Sequence, residues 1–159
     1  MLYTLNQLVN KAKNLRPAFA EIGEDLVNSI KRRFAMATVP DGTPWVPNSQ
    51  VTIERYLGVF KGSRKKDGSS SKAGQASTAS KKPLMGETKT LRSTINYQLD
   101  GAFSVGIGSS KIQAAMLQFG GTRAQFPHLW GDIPERPFLG VSTSDRQNIL
   151  DIICSYLVE

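Results

Sequence analysis

The side chains that could do chemistry are few and far apart. His128 is the only histidine and Cys154 the only cysteine, so a serine or cysteine nucleophile would have at most one imidazole to activate it. His128 stands between Pro127 and Leu129 in a loop, a setting that suits a surface or packing residue better than a catalyst. Cys154 cannot form an internal disulfide, and its place in an apolar terminal pattern predicts a small buried hydrophobe. No His or Cys cluster has zinc spacing and no run of acids resembles a calcium loop, so no metal site is expected. Gly106-x-Gly108 lacks the third glycine and the later acid of a dinucleotide site, so no cofactor is expected. Gln118-Phe119-Gly120-Gly121 reads as a helix C-terminus, where paired glycines adopt positive φ without any ligand. The chemistry expected of this chain is that of surfaces and not of catalysis.

The strongest polar signal is a charge cluster. The chain carries 20 Lys and Arg against 13 Asp and Glu, a net charge of +7. Seven of those cations (Lys61, Arg64, Lys65, Lys66, Lys72, Lys81 and Lys82) lie between positions 61 and 82 with one acid, Asp67, leaving the rest of the chain near neutral. The segment is rich in Ser, Gly and Ala, has no aromatic residue and no periodicity, and is too long for an ordinary connection. It is read as a flexible basic loop that is solvated, binds another protein, or touches DNA. Without aromatic side chains to stack on bases, a DNA contact would be to phosphates only and non-specific.

The elements that hold these residues follow from pattern. A chain of 159 residues that is 40% hydrophobic suits one domain, 1–159, with a real core. No stretch approaches the roughly 20 apolar residues of a membrane span, and the start does not have the order of a signal peptide. Thr4 to Gln7 reads as a capping box, with Tyr3 and Leu8 spaced as a hydrophobic staple. From there Leu5, Leu8, Ala12, Leu15, Phe19, Ile22, Leu26, Ile30 and Phe34 recur every three or four residues, a long amphipathic helix. Unbroken, it would be about 45 Å long, against roughly 40 Å for a compact globule of this size. Either Pro17 kinks or interrupts it, or the molecule is elongated.

Val39 to Pro47 is turn-rich and carries Trp45 between two prolines as an apolar anchor. Leu91, Ser93, Ile95, Tyr97 and Leu99 alternate with polar residues as a strand, Asp100-Gly101 turns the chain, and Phe103, Val105 and Ile107 continue the apolar face on the return. Ser110 to Gln113 should cap a short helix ending in Phe119, a further anchor. Ile133 to Val141 is extended because its prolines forbid helix, with Phe138 and Leu139 predicted to meet the sheet edge. Ser144 to Gln147 should cap a final helix bearing Ile149, Leu150, Ile153, Tyr156 and Leu157. The fold class is α+β: N-terminal and C-terminal helices packed on a small antiparallel sheet.

Four stretches in order resemble one family. They are Phe34 followed by Pro40-Asp41-Gly42-Thr43-Pro44-Trp45; Pro83-Leu84-Met85 leading into Leu91-Arg92-Ser93-Thr94-Ile95 and the hairpin that ends Val105-Gly106-Ile107-Gly108; Ala114 to Gly121, ending in QFGG; and Ile133 to Ser142, IPERPFLGVS, followed by Asp145 and a closing helix. Over about Ile22 to Ile153 the chain is similar to the phage virion morphogenesis family, which includes tail-completion proteins of Mu-type and related tailed phages. It departs where the family often has tyrosine and histidine before QFGG, carrying Gln113 and Leu117, and where Gly86 to Thr90 replaces the usual threonine-glycine. The resemblance implies a structural protein of the virion, assembled in the host cytoplasm and acting at the head-tail junction or the head-proximal tail end. Its implied partners are its own copies, in a ring-type homo-oligomer, and neighbouring neck, connector or tail-tube proteins.

Overall fold

Pro17 decides how the N-terminal half is laid out. A proline inside a helix removes a backbone donor and clashes with the carbonyl four residues back, whereas the first turn of a helix needs no such donor. The apolar periodicity therefore splits into two helices, α1 (Leu2–Lys13) and α2 (Arg16–Met36), with Pro17 in the first turn of α2. Asn14 makes the junction: its amide donates to the Lys11 carbonyl at 3.0 Å and its side-chain oxygen accepts from the Arg16 amide at 3.2 Å. The computed structural model describes residues 2–59, 61–85, 90–129 and 131–158, and side chains from residue 5 onward. The Thr4–Gln7 capping box, the Tyr3–Leu8 staple and the variant stretch from Gly86 to Lys89 lie outside the described residues.

The remaining elements are α3 (Gln50–Val59), α4 (Lys72–Ala79), α5 (Thr90–Ser93), β1 (Ile95–Asp100), β2 (Ser104–Ser109), α6 (Gln113–Phe119) and α7 (Thr143–Val158). The class is α+β, with the N-terminal and C-terminal helices and one two-stranded antiparallel sheet. α2 is the central element, buried through Ala18, Ile22, Leu26, Val27, Ile30 and Phe34 against both strands and α7. Gly23 lets β1 come close, because a Cβ there would stand 2.5 Å from the Tyr97 ring. The core gathers Val27, Ile30, Phe34, Trp45, Leu91, Ile95, Ala114 and Phe138.

Several local expectations need correcting. The strand does not begin at Leu91: residues 90–93 form one helical turn, with the Thr94 amide donating to the Thr90 carbonyl at 3.1 Å. Leu91 and Ile95 are four residues apart, so they share a face in a helical turn as well as in a strand, and alternation alone could not separate the two. The hairpin pairs Asp100 with Ser104 through three loop residues. Gly101 takes φ +71°, and Phe103 falls in the turn, 59% exposed, instead of continuing the apolar face. Val105 and Ile107 do continue it, opposite Leu99 and Tyr97.

The helix caps also shift. α6 starts without a side-chain cap: its N-cap is Ile112, whose side chain has no acceptor, so the Ser110 box does not form, and the Ser109 hydroxyl accepts from the Lys111 amide at 3.2 Å. The box at α7 lies two residues earlier than predicted. Ser142 Oγ accepts from the Asp145 amide at 3.1 Å, and Asp145 Oδ2 accepts from the Ser142 amide at 2.8 Å. Asp at the third helical position does here what Glu or Gln does in the usual box.

Candidate interaction surfaces

The few reactive residues do not converge into a site. His128 lies in the turn after Thr122, its ring 6.2 Å from that of Phe126. Cys154 is exposed on α7, not the buried hydrophobe its apolar context predicted, because this side of α7 faces away from α2. Gly106 and Gly108 are paired within the hairpin, opposite Gln98 and Asn96, and form no phosphate loop. Among the described residues no three His, Cys, Asp or Glu side chains gather as a metal group. Among them, too, no helix is long and apolar enough to cross a membrane.

Polar side chains instead brace the proline-bounded strap from residue 133 to 141. Its buried carbonyl and amide groups cannot pair within the strap, so other elements must supply partners. Arg136, buried, reaches from the strap to the Val46 and Pro47 carbonyls, with Nε and Nη2 donating at 2.8 and 2.9 Å, and so ties it to the chain after Trp45. Trp45 Nε1 returns the contact by donating to the Pro137 carbonyl at 2.9 Å. The Trp45 ring meets Phe34 edge-on at 5.3 Å, and Phe138 lies 5.3 Å from Phe34 on another side. Trp45 and Phe138 are thus buried beside α2, Leu91 and Ile95, with Leu139 half-buried against the same cluster.

Gln118 completes the strap. Its Oε1 accepts from the Phe138 and Leu139 amides, both at 3.0 Å, and its Nε2 donates to the Leu139 carbonyl at 3.2 Å. The strap therefore docks on a glutamine of α6, not on the sheet edge. Gly120, at φ +69°, ends α6 where a Cβ would lie 2.8 Å from the Glu135 amide nitrogen. Phe119 points away from this packing at 76% exposure, so it is a surface residue and not an anchor. Gln118→Leu should cost about 1–3 kcal/mol, since it leaves two backbone donors without their acceptor. Gln118→Glu, which keeps the acceptor, should cost less; urea unfolding of the two variants checks this ordering.

A buried ion pair at the α2–α7 contact was not legible as such. Arg33 contacts Asp145 in an ion pair almost closed to solvent, and its Nη1 donates to the Gly140 carbonyl at 2.6 Å and the Phe138 carbonyl at 3.2 Å. Ser29 Oγ donates to Asp145 Oδ1 at 2.6 Å. Burial lowers the Arg33 pKa, yet a guanidinium stays charged at neutral pH. Burial would raise the Asp145 pKa, but hydrogen bonds from Ser29 and Ser142 and the Arg33 charge outweigh it and hold the carboxyl below its ordinary range. Arg33 and Ser29 belong to the buried face of α2, and neither is part of its apolar periodicity.

The basic segment is not a structureless loop. Together with α3 it forms a small arm, closed at its base by Asn48 Nδ2 donating to the Lys81 carbonyl at 3.0 Å. Ser63 donates to the Leu57 carbonyl, Ser71 caps α4 by accepting from the Gly74 amide at 3.0 Å, and the Ser71 amide donates to the Ser63 carbonyl at 2.7 Å. Gly74 packs so closely that a Cβ would stand 2.3 Å from the Ser63 carbonyl oxygen. The Ser and Gly content that resembles a disordered composition here serves caps and close backbone contact.

The seven cations are sorted by this arm. Arg64, Lys65 and Lys66 come together at an exposed tip, where Lys65 to Gly68 turn the chain and Asp67 Oδ1 accepts from the Ser69 amide at 2.9 Å. Lys61 and Lys72 are exposed along its sides. Lys81 stacks over the Tyr56 ring at 5.3 Å and Lys82, still exposed, donates to the Ala35 carbonyl near the end of α2, so these two are held at the base and away from the tip. A second feature is apolar: every described hydrophobic side chain of α1, including Leu5 at 61% exposure, faces solvent.

Residues 1–158 match the model of the phage virion morphogenesis family. No curated protein and no solved structure matches the chain.

Proposed function

The chain belongs to the phage virion morphogenesis family, and from that premise we propose that it completes the neck or tail of a tailed phage, acting as a multimer at the head-tail junction or the head-proximal tail end. Its role in phage assembly and its association with the virion follow from the family. The observation that carries the finer reading is the uncovered apolar stripe of α1, on a chain whose described buried polar side chains all have hydrogen-bond partners. Apolar side chains aligned on one exposed element mark a contact surface more than scattered ones do. The cationic tip of the arm is a second contact, suited to an acidic surface on a neighbouring neck, connector or tail-tube protein.

Arg64→Gln/Lys65→Gln/Lys66→Gln tests this reading and separates it from the DNA alternative. Complementary charge mainly sets encounter rate and partner choice, so in-vitro joining of heads and tails should slow by about tenfold at low salt. DNA retention should be unaltered. If the tip instead serves DNA, joining will be normal, DNA binding will weaken, and the log–log salt slope will flatten by about 3 for three lost phosphate contacts. Heads and tails prepared without this chain should remain unjoined until the purified protein is added; joining at the normal rate in its absence would sink the junction role.

A further inference from the structure

α1 and α7 touch, yet each keeps an apolar stripe open to solvent. On α1 the stripe is Leu5, Leu8 and Val9, at positions i, i+3 and i+4; on α7 it is Leu150, Cys154 and Val158, at i, i+4 and i+8. These spacings put each set on one side of its helix. The contact within the chain is already fixed: the Tyr156 hydroxyl donates to the Asn14 carbonyl at 2.8 Å, and the Lys11 ammonium lies 5.6 Å from the centre of the Tyr156 ring. With α1 held beside α7 in this way, both stripes stay exposed among the described residues and are open to a second chain.

Resting on the multimeric reading above, we propose that the α1 stripe of one copy lies along the α7 stripe of a second copy. Charge favours this pairing over α1 on α1, and the oxidation test below separates it from α7 on α7. Residues 1–20 carry Lys11, Lys13 and Arg16 and no acid, while α7 carries Asp151 beside its stripe and Arg146 one turn before Leu150. Glu21 and Asp25 of α2 line a groove with Asn148, Asp151 and Ile152 and extend the acidic flank beside α7. α1 on α1 would set cation against cation, whereas α1 on α7 sets Lys11 and Lys13 near Asp151, Glu21 and Asp25 around an apolar seam. The α1 stripe runs about 6 Å from Leu5 to Val9 and the α7 stripe about 12 Å from Leu150 to Val158, so the shorter fits within the longer.

The single native cysteine makes the test direct. A tagged Val9→Cys/Cys154→Ser chain is mixed with the untagged native chain and oxidised with diamide, beside a control that carries Ser80→Cys in place of Val9→Cys. A disulfide forms only where two Cα atoms come within about 7 Å. The expected result is a tagged–untagged disulfide species at least tenfold more abundant than with the control. A dominant Cys154–Cys154 species would show α7 on α7 and overturn the pairing. So would a multimer, by native mass, that yields no cross-link. Protection of the stripes only after heads or tails are added would assign them to another virion protein. A chain that stays monomeric and still joins heads to tails would remove both this pairing and self-assembly from the proposed function, while leaving the junction role intact.

Discussion

Asp145→Ala is expected to destabilise the fold by about 3–5 kcal/mol, because it leaves the Arg33 guanidinium buried without its counter-charge. The carboxylate also accepts from Ser29 Oγ and from the Ser142 amide, so the same change uncaps α7 and removes the link from α2. Asp145→Asn should fall between wild type and Ala, since it preserves shape but loses the charge. The pH dependence follows from the direction of the shift. The folded-state pKa of Asp145 lies below that of the unfolded chain, about 3.9. Its contribution is therefore fully present above about pH 4 and is lost as pH falls through the depressed folded value. Urea unfolding at pH 7 and at successive steps below pH 4 should show the wild type converging on Asp145→Asn as acid is added. A gap between the two that stays constant down to pH 2 would contradict the assignment.

The second large effect is expected at the aromatic cluster. Trp45 and Phe138 flank Phe34, with both ring pairs at 5.3 Å, and both are buried where the strap, the turn after α2 and the hairpin meet. Truncating either to Ala removes an aromatic side chain and leaves a cavity, a loss of about 3–5 kcal/mol. For Trp45 the Pro137 carbonyl also loses its donor. Phe119→Ala is the internal comparison: equally aromatic, within another of the four family-like stretches, but exposed, it should change stability by less than about 0.5 kcal/mol. Thermal unfolding of the three variants gives the order. A melting temperature for Trp45→Ala or Phe138→Ala equal to that of Phe119→Ala would reject the anchor role for that residue.

These two effects lie on different sides of what was legible in advance. The aromatic anchors were visible because prolines on both sides of Trp45, and the prolines before Phe138, forbid helix and leave a large apolar side chain no local partner. The ion pair was not, because nothing near Arg33 in sequence indicates the carboxylate that meets it, 112 positions away.

The same division runs through the molecule. Local pattern by itself determined the amphipathic α2, the alternation of β1 and the extended strap. Each depends on backbone rules that act over a few residues: helical or strand periodicity and proline geometry. The order of the four stretches also carried the family. Tertiary structure alone decided which polar groups are spent inside. Gln118, Arg136, Arg33 and Asp145 find their partners only when the strap, which cannot pair its own amides and carbonyls, is laid across α2 and α6. It likewise decided that Ser63, Ser71 and Gly74 build an arm from a composition resembling disorder, because a hydroxyl at a helix cap or a missing Cβ has value only once another backbone stands against it. And it decided which cations are presented: Lys81 and Lys82 are held at the arm's base by Tyr56 and the end of α2, leaving Arg64, Lys65 and Lys66 at the tip. Charge along a chain is additive, but the field that a partner meets depends on where the fold places each cation.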